Sequence, residues 1–337
     1  MTIQHTTRKH ARLSASRTER FMACPGSVLL ENQMPYEPPG EAAAIGTAIH
    51  ELSEAMLRGD QLTQSEYPAD HWSMASEYAN FVNTLCDSPR KKLIEVNVDD
   101  GLKSLHPALG GTADAVLVEG STMHVIDLKT GRVPVEAEEN PQLMTYALGA
   151  MRKFNAPESI TVVLHIFQPR TGHSAWTTTG TRLLQHAQEL KAAAELALTA
   201  NAPTNPGDAQ CKYCRAKTIC PSLRSIAAEA ARKDFMPDTN ITPEMIEEAK
   251  LAAAYSEAVL EAAKQNLANG STIPGYALRA GKKTKFWREP ELVMDFLKDN
   301  KAAWELKSPS AISKEGIEVP ENFIGEKQSA PSLVKSK

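Results

Sequence analysis

Gly110-Gly111-Thr112-Ala113-Asp114-Ala115-Val116-Leu117-Val118-Glu119-Gly120-Ser121-Thr122-Met123-His124-Val125-Ile126-Asp127-Leu128-Lys129-Thr130-Gly131 is the stretch on which the fold turns. Two runs rich in β-branched residues, 112–118 and 122–129, meet at Glu119-Gly120-Ser121, the composition of a tight hairpin turn. With Gly120-Ser121 as a two-residue turn, Glu119 faces Thr122. Counting back along both strands then sets Asp114 opposite Asp127. Directly opposed side chains have Cβ atoms about 5 Å apart, and Lys129, two residues beyond Asp127, points to the same face.

Working outward, residues 93–98 and 160–167 are two more extended runs, and 140–155 between the hairpin and the last run has helical periodicity through Leu143, Tyr146, Ala147 and Ala150. Strand, hairpin, crossover helix and returning strand predict an α/β core with a mixed sheet. Helices are expected over 42–58, stopped by Gly59, over 73–86 and over 181–200. Ser16 and Glu19 have the spacing of a capping box for a helix that stops at Cys24-Pro25-Gly26. Past residue 235 the composition shifts, Thr242-Pro243 opens a helix to about Leu267, and a small helix is expected over 289–299. The expected organisation is a core over 1–235, a mainly helical region over 236–325 and a disordered tail over 326–337.

The chain has 337 residues, 23% charged and 42% apolar, with a formal net charge of −4. That composition is ordinary for a soluble globular protein of about two domains. No apolar run reaches the roughly 18 residues of a membrane span, and the basic N-terminal stretch has no apolar segment behind it. A cytoplasmic address without membrane association is expected. The bulk charge gives no general pull towards nucleic acid, so such a role must rest on local patches. Three exist: Arg8, Lys9, Arg12, Arg17 and Arg20; Arg152 and Lys153; and Lys282, Lys283, Lys285 and Arg288 beside Phe286 and Trp287, where cations mixed with aromatics suit single-strand stacking.

Asp114 opposite Asp127 is costly without a cation. Two carboxylates at that distance on strands of Val, Ile, Leu and Ala raise each other's pKa unless something positive lies between them. All-oxygen ligation suits Mg²⁺ or Mn²⁺. Lys129 then stabilises charge developing on a phosphate or positions an attacking water. The same spacing alone also fits strand-end acids with a lysine ion-pair partner. His50, four residues after Gly46 on the helix over 42–58, and Gln142 and Tyr146, one turn apart, complete the candidate set. Glu95 is a weaker candidate for a further carboxylate.

Five cysteines are too few for a disulfide scaffold. Cys211, Cys214 and Cys220 form C-x₂-C-x₅-C, a spacing that binds Zn²⁺ or an iron–sulfur cluster, and Cys24, also followed by proline, is the best fourth ligand. Cys86 sits beside Leu85 on a helix and reads as a buried small hydrophobe.

In order along the chain, Cys24, G-x₃-H (His50), G-G-T-A-D (Asp114), D-L-K (Asp127, Lys129), Q-x₃-Y (Gln142, Tyr146) and C-x₂-C-x₅-C resemble the RecB-like branch of the PD-(D/E)XK nuclease superfamily. The resemblance is to its iron–sulfur members, such as the AddB nuclease domain and the CRISPR adaptation exonucleases, and is closest to a phage and prophage family of this type. It implies a restriction-endonuclease-like core with a central mixed sheet flanked by helices. It also implies a DNA nuclease working as an exonuclease in a phage recombination or replication module within a bacterial host. His50, Asp114, Asp127 and the backbone carbonyl of Leu128 would ligate Mg²⁺ or Mn²⁺, Lys129 would orient or activate water, and Gln142 and Tyr146 would support the site and contact the DNA backbone. A [4Fe–4S] cluster would sit on Cys24, Cys211, Cys214 and Cys220, where spacing alone leaves Zn²⁺ open. The implied partners are single- or double-stranded DNA ends and a phage single-strand annealing or binding protein. The competing reading is a non-catalytic DNA-binding or scaffold protein with a structural iron–sulfur or zinc site.

Overall fold

The hairpin forms as the sequence dictates. In the computed structural model, β4 (Thr112–Glu119) and β5 (Thr122–Leu128) pair antiparallel with Glu119 opposite Thr122 and Ala115 opposite Ile126, and Gly120 takes the left-handed φ of 56° that the turn requires. The structure describes residues 11–36, 38–86, 91–232, 241–281, 283–288, 292–293, 295, 308–314, 318–329 and 331–335. Arg8, Lys9 and Lys282 lie outside the described residues, as does most of the expected helix over 289–299.

Around this hairpin, β2 (Lys91–Asn97) pairs antiparallel with β4, and β6 (Thr161–Gln168) pairs parallel with β5. β7 (Gly172–Thr179) closes the order β2-β4-β5-β6-β7 as an antiparallel edge. The parallel step needs a crossover, which α6 (Pro141–Lys153) supplies. Its N-cap is Asn140, whose side chain accepts the Leu143 N–H at 3.1 Å, with Pro141 in the first turn where its missing N–H costs nothing. The result is a mixed five-stranded sheet flanked by helices, a restriction-endonuclease-like core.

Strand alternation divides the core into two layers. On one face, Met123, Val125, Val162 and Leu164 pack with Leu143, Ala147 and Met151 of α6 and with Leu183 and Leu190 of α7 (Gly180–Ala197). On the other, Ala115, Leu117, Ile126 and Leu128 pack with Ile49 and Leu52 of α3 (Glu41–Arg58) and with Met74, Tyr78 and Val82 of α4 (Ala69–Thr84). Each such aliphatic side chain contributes about 1.5–3 kcal/mol by leaving water. This second face also carries a polar feature. His124, His165 and His173, from β5, β6 and β7, form a row in which His124 Nδ1 lies 3.0 Å from His165 Nε2 and His165 Nδ1 lies 3.0 Å from His173 Nε2. Their rings stack at centroid distances of 5.3 and 5.2 Å, and Phe81 of α4 packs against His165 and His173.

Two local expectations are corrected. The Ser16–Glu19 capping box does not form: Ser16 Oγ pairs with Ser14 Oγ at 3.1 Å, and a 3₁₀ turn Ala15–Arg17 leads into α1 (Thr18–Ala23). The tail expected to be disordered contains strands. Ile324–Gln328 pairs with Lys283–Trp287, and Ser332–Lys335 pairs with Tyr276–Arg279, because a two-stranded ladder is held by backbone bonds that composition does not reveal. The edge strand β7 was not expected at all.

The chain separates into two compact units, 1–254 and 255–337. The break in composition near 235 precedes this division, because the first part of the long helix Pro243–Ala268 goes with the core. Thr242 caps that helix, its Oγ1 accepting the Met245 N–H at 3.4 Å.

Candidate active site

Asp114 and Asp127 meet where β4 begins and β5 ends. Past Ala115 opposite Ile126, the Leu128 N–H turns to Asp114 Oδ2 at 2.8 Å, so a carboxylate takes over from the backbone ladder. His50 Nδ1 lies 3.4 Å from Asp114 Oδ1. The G-x₃-H spacing has a steric reason: a Cβ at Gly46 would stand 3.1 Å from Thr130 Oγ1, so glycine lets α3 approach the segment just beyond Lys129. On the α6 side, Gln142 ties the set together. Its Nε2 donates to Asp127 Oδ1 at 2.8 Å and to the Tyr146 hydroxyl at 3.3 Å, and its Oε1 accepts from Lys129 Nζ at 2.9 Å. Lys129 Nζ also lies 2.7 Å from Asp127 Oδ2, but not along a hydrogen-bonding direction, which leaves that buried oxygen without a hydrogen bond.

The electrostatics separate the two acids. Burial alone would raise both. Asp114 falls below the usual carboxylate range because the charge and hydrogen bond of His50, the Leu128 N–H and Lys129 outweigh it. Asp127 stays raised, through burial and the like charge of Asp114, against the opposing pull of Lys129 and His50. Burial works against a charged His50, yet Asp114 and Asp127 carry its pKa up to about 9. Lys129 is raised by Asp127, Asp114 and Glu19 despite burial.

Glu95 deserves more weight than its sequence signal suggests. Ile94 pairs with Ala115 and Val96 with Ala113, which sets Glu95 across from Asp114, and its φ of 53° is a left-handed conformation unfavourable for a side chain of this size. Its charge joins those of Asp114 and Asp127 in raising the Tyr78 and Tyr146 hydroxyls, after burial. Three carboxylates therefore share this end of the sheet. Backbone strain at a polar cluster is a recurrent mark of function.

The cysteines gather separately. Cys24, Cys211, Cys214 and Cys220 line one cavity with Ser27, Leu30 and Leu223. Backbone N–H groups face the sulfurs: Asn205 N to Cys24 Sγ at 3.2 Å, Gly207 N to Cys211 Sγ at 3.4 Å, and Ala216 N to Cys214. Burial pushes the Cys211 thiol up and the Cys214 thiol up to about 11. Cys86 is buried in the α3–α4 layer, away from this cavity. The corner is tied by Glu31, a residue with no sequence signal. It ends α2 (Ser27–Glu31), is 2% exposed, lies 2.7 Å from Arg20 and 3.7 Å from Arg17, and accepts the Arg215 backbone N–H at 3.0 Å.

The sequence model of the family described as "protein of unknown function (DUF2800)" matches residues 10–335. The chain belongs to the DUF2800 family. Among solved structures, this DUF2800 chain is similar to one titled SSO0001, at 15% identity over 65% of this chain and 89% of that one, with a TM-score of 0.32. A second is an alkaline exonuclease, LHK-Exo, from Laribacter hongkongensis, at 13% identity over 56% and 89%, with a TM-score of 0.27. Superpositions this loose carry no argument about activity. What the DUF2800 chain can do chemically is read from its own side chains.

Both implied groups meet donor chemistry that suits them. Among the described residues, no three His, Cys, Asp or Glu side chains already form a closed coordination site. The acidic cluster nevertheless offers carboxylate oxygens, an imidazole and, in Asp127 Oδ2, a buried oxygen without a hydrogen bond, a set suited to a hard divalent cation. The corner offers four thiols around one cavity with N–H groups aimed at three of them, as thiolate ligation of zinc or iron requires. Among the described residues no helix is long and apolar enough to cross a membrane.

Proposed function

We propose that this protein is a metal-dependent DNA nuclease. The observation that carries the reading is Asp127: a buried carboxylate beside the like charge of Asp114, with one oxygen held by Gln142 and the other 2.7 Å from Lys129. His50, Asp114, Asp127 and the Leu128 carbonyl would hold Mg²⁺ or Mn²⁺, with Glu95 a further oxygen donor. When bound, such a cation polarises a phosphate oxygen and lowers the pKa of water. Lys129, fixed by Gln142, presents an ammonium to the charge that develops on the phosphate. Gln142 and Tyr146 hold that geometry from α6, so that the acids and the lysine move as one unit.

The resemblance to the RecB-like branch adds the finer reading: exonuclease action on DNA ends, a [4Fe–4S] cluster at Cys24, Cys211, Cys214 and Cys220, and a place in a phage recombination or replication module alongside a single-strand annealing or binding protein. The test is cleavage of linear DNA with Mn²⁺. Asp127→Ala is expected to lower the rate at least about 1,000-fold in a protein that still folds. Retained cleavage in the variant would overturn the site, and an inert wild type would favour the DNA-binding scaffold. At the cysteines, an anaerobic preparation is expected to be brown and to lose its visible absorbance in Cys214→Ser. A colourless protein with stoichiometric zinc would replace the cluster by a zinc site.

A further inference from the structure

Two tyrosines of the core unit are almost fully in water: Tyr36, 84% exposed, and Tyr213, 69% exposed. Neither belongs to the acidic cluster or is among the cysteines of the cavity. One arginine joins the two loops that carry them. Arg215 donates its backbone N–H to Glu31 Oε1 at 3.0 Å, a guanidinium N–H to the Glu31 carbonyl at 3.2 Å and another to the Pro35 carbonyl at 3.2 Å. Tyr36 follows Pro35, and Tyr213 precedes Arg215 by two residues, so both lie within two residues of this junction.

The surroundings are cationic. Lys212 Nζ lies 5.3 Å from the centre of the Tyr213 ring, and Lys217 Nζ donates to the Lys212 carbonyl at 3.3 Å. Arg17, with a side chain 44% exposed, and Arg20 reach the junction through Glu31. Among the described residues of this junction, Glu31 is a buried acid shared by both arginines. Asp208, at the far end of the helix Asp208–Lys212, is paired with Lys250 at 3.0 Å. The patch therefore presents a cationic frame around two exposed π faces.

We propose that Tyr36 and Tyr213, framed by Arg17, Lys212, Arg215 and Lys217, form a stacking platform for single-stranded nucleic acid. Bases stack on exposed aromatic rings regardless of sequence, and the cations track the phosphates. The proposal concerns binding and does not need the nuclease reading.

The experiment is fluorescence anisotropy of a labelled oligothymidylate against the full-length protein, without added divalent cation so that no cleavage intervenes. Tyr36→Ala and Tyr213→Ala are each expected to weaken binding about tenfold, whereas Tyr36→Phe and Tyr213→Phe bind like the wild type. Photocross-linking of an oligonucleotide carrying 5-iododeoxyuridine is expected to mark peptides containing Tyr36 and Tyr213. An unchanged affinity in the double alanine variant, or cross-links confined to other peptides, would overturn the platform, as would a double variant that loses only a protein partner. Binding that depends on the tyrosines in a protein that cleaves nothing would uphold the platform and remove the nuclease reading.

Discussion

On the α6 face of the central sheet, Asp114, Asp127, Lys129 and Gln142 form a cluster in which like charges are held together and one carboxylate oxygen lacks a hydrogen bond. On the α4 face, His124, His165 and His173 form a row in which neutral imidazoles satisfy one another, each donating to or accepting from the next. Both place polar groups beside the apolar core, and in the row His165 is buried while His173 is exposed. Burial is hardest on charge, so a fully matched neutral row is a structural device, while a mismatched charged cluster persists only where something else stabilises it or function requires it. The contrast explains why the first group, and not the second, reads as an active site.

Removing the middle of the neutral row has the largest expected effect. His165→Ala leaves a cavity and strands two imidazoles, and is expected to lower stability by about 3 kcal/mol in urea unfolding. His165→Leu, which fills the space, recovers part of it. Cleavage per folded molecule should be unchanged in both. The same row makes the wild type acid-sensitive. Burial, then His124 and His173, push His165 down to about 3, so below about pH 6.5 the unfolded chain binds a proton that the folded chain refuses. Stability falls as the pH drops from about 6.5 towards about 3, by up to about 1.4 kcal/mol per pH unit. A profile flat across that window would break the comparison.

The charged cluster is expected to respond in the opposite direction and by the least. Asp127 has a raised pKa, so its ionised form costs stability at neutral pH. Asp127→Asn should therefore raise the melting temperature of the metal-free protein slightly while removing cleavage. A lower melting temperature would mean that the Lys129 pair outweighs the repulsion and that the cluster is structural after all.

Much of the acidic cluster was legible because its geometry is local. A two-residue turn fixes the register, and the register fixes which side chains face each other. The i, i+4 spacing of Gln142 and Tyr146 needs only a helix. The histidine row was not legible, because it depends on how β6 and β7 align with β5, and β7 itself (GHSAWTTT) is a polar edge without a clear apolar alternation. Glu31 was missed for a related reason: at the end of a short helix it looks like a surface acid, and only Arg215, far along the chain, makes it a buried hub. Glu95 carries a weak sequence signal because a left-handed residue inside a strand run leaves no trace in composition.

Glu31 and Arg215 lie 184 residues apart. At a synthesis rate of about 5–20 residues per second, roughly 10–40 s pass between the emergence of one and of the other. Through that interval the Arg20–Glu31 pair of α1 and α2 lacks Arg215, while the sheet encoded between them can already assemble. The corner therefore closes late on the ribosome. Cys24 waits, exposed and reduced, for the three thiols that follow it. If the proposed cluster is loaded during synthesis, those seconds are the window for it, and a chain truncated before Arg215 would display a finished sheet beside an open, thiol-bearing end.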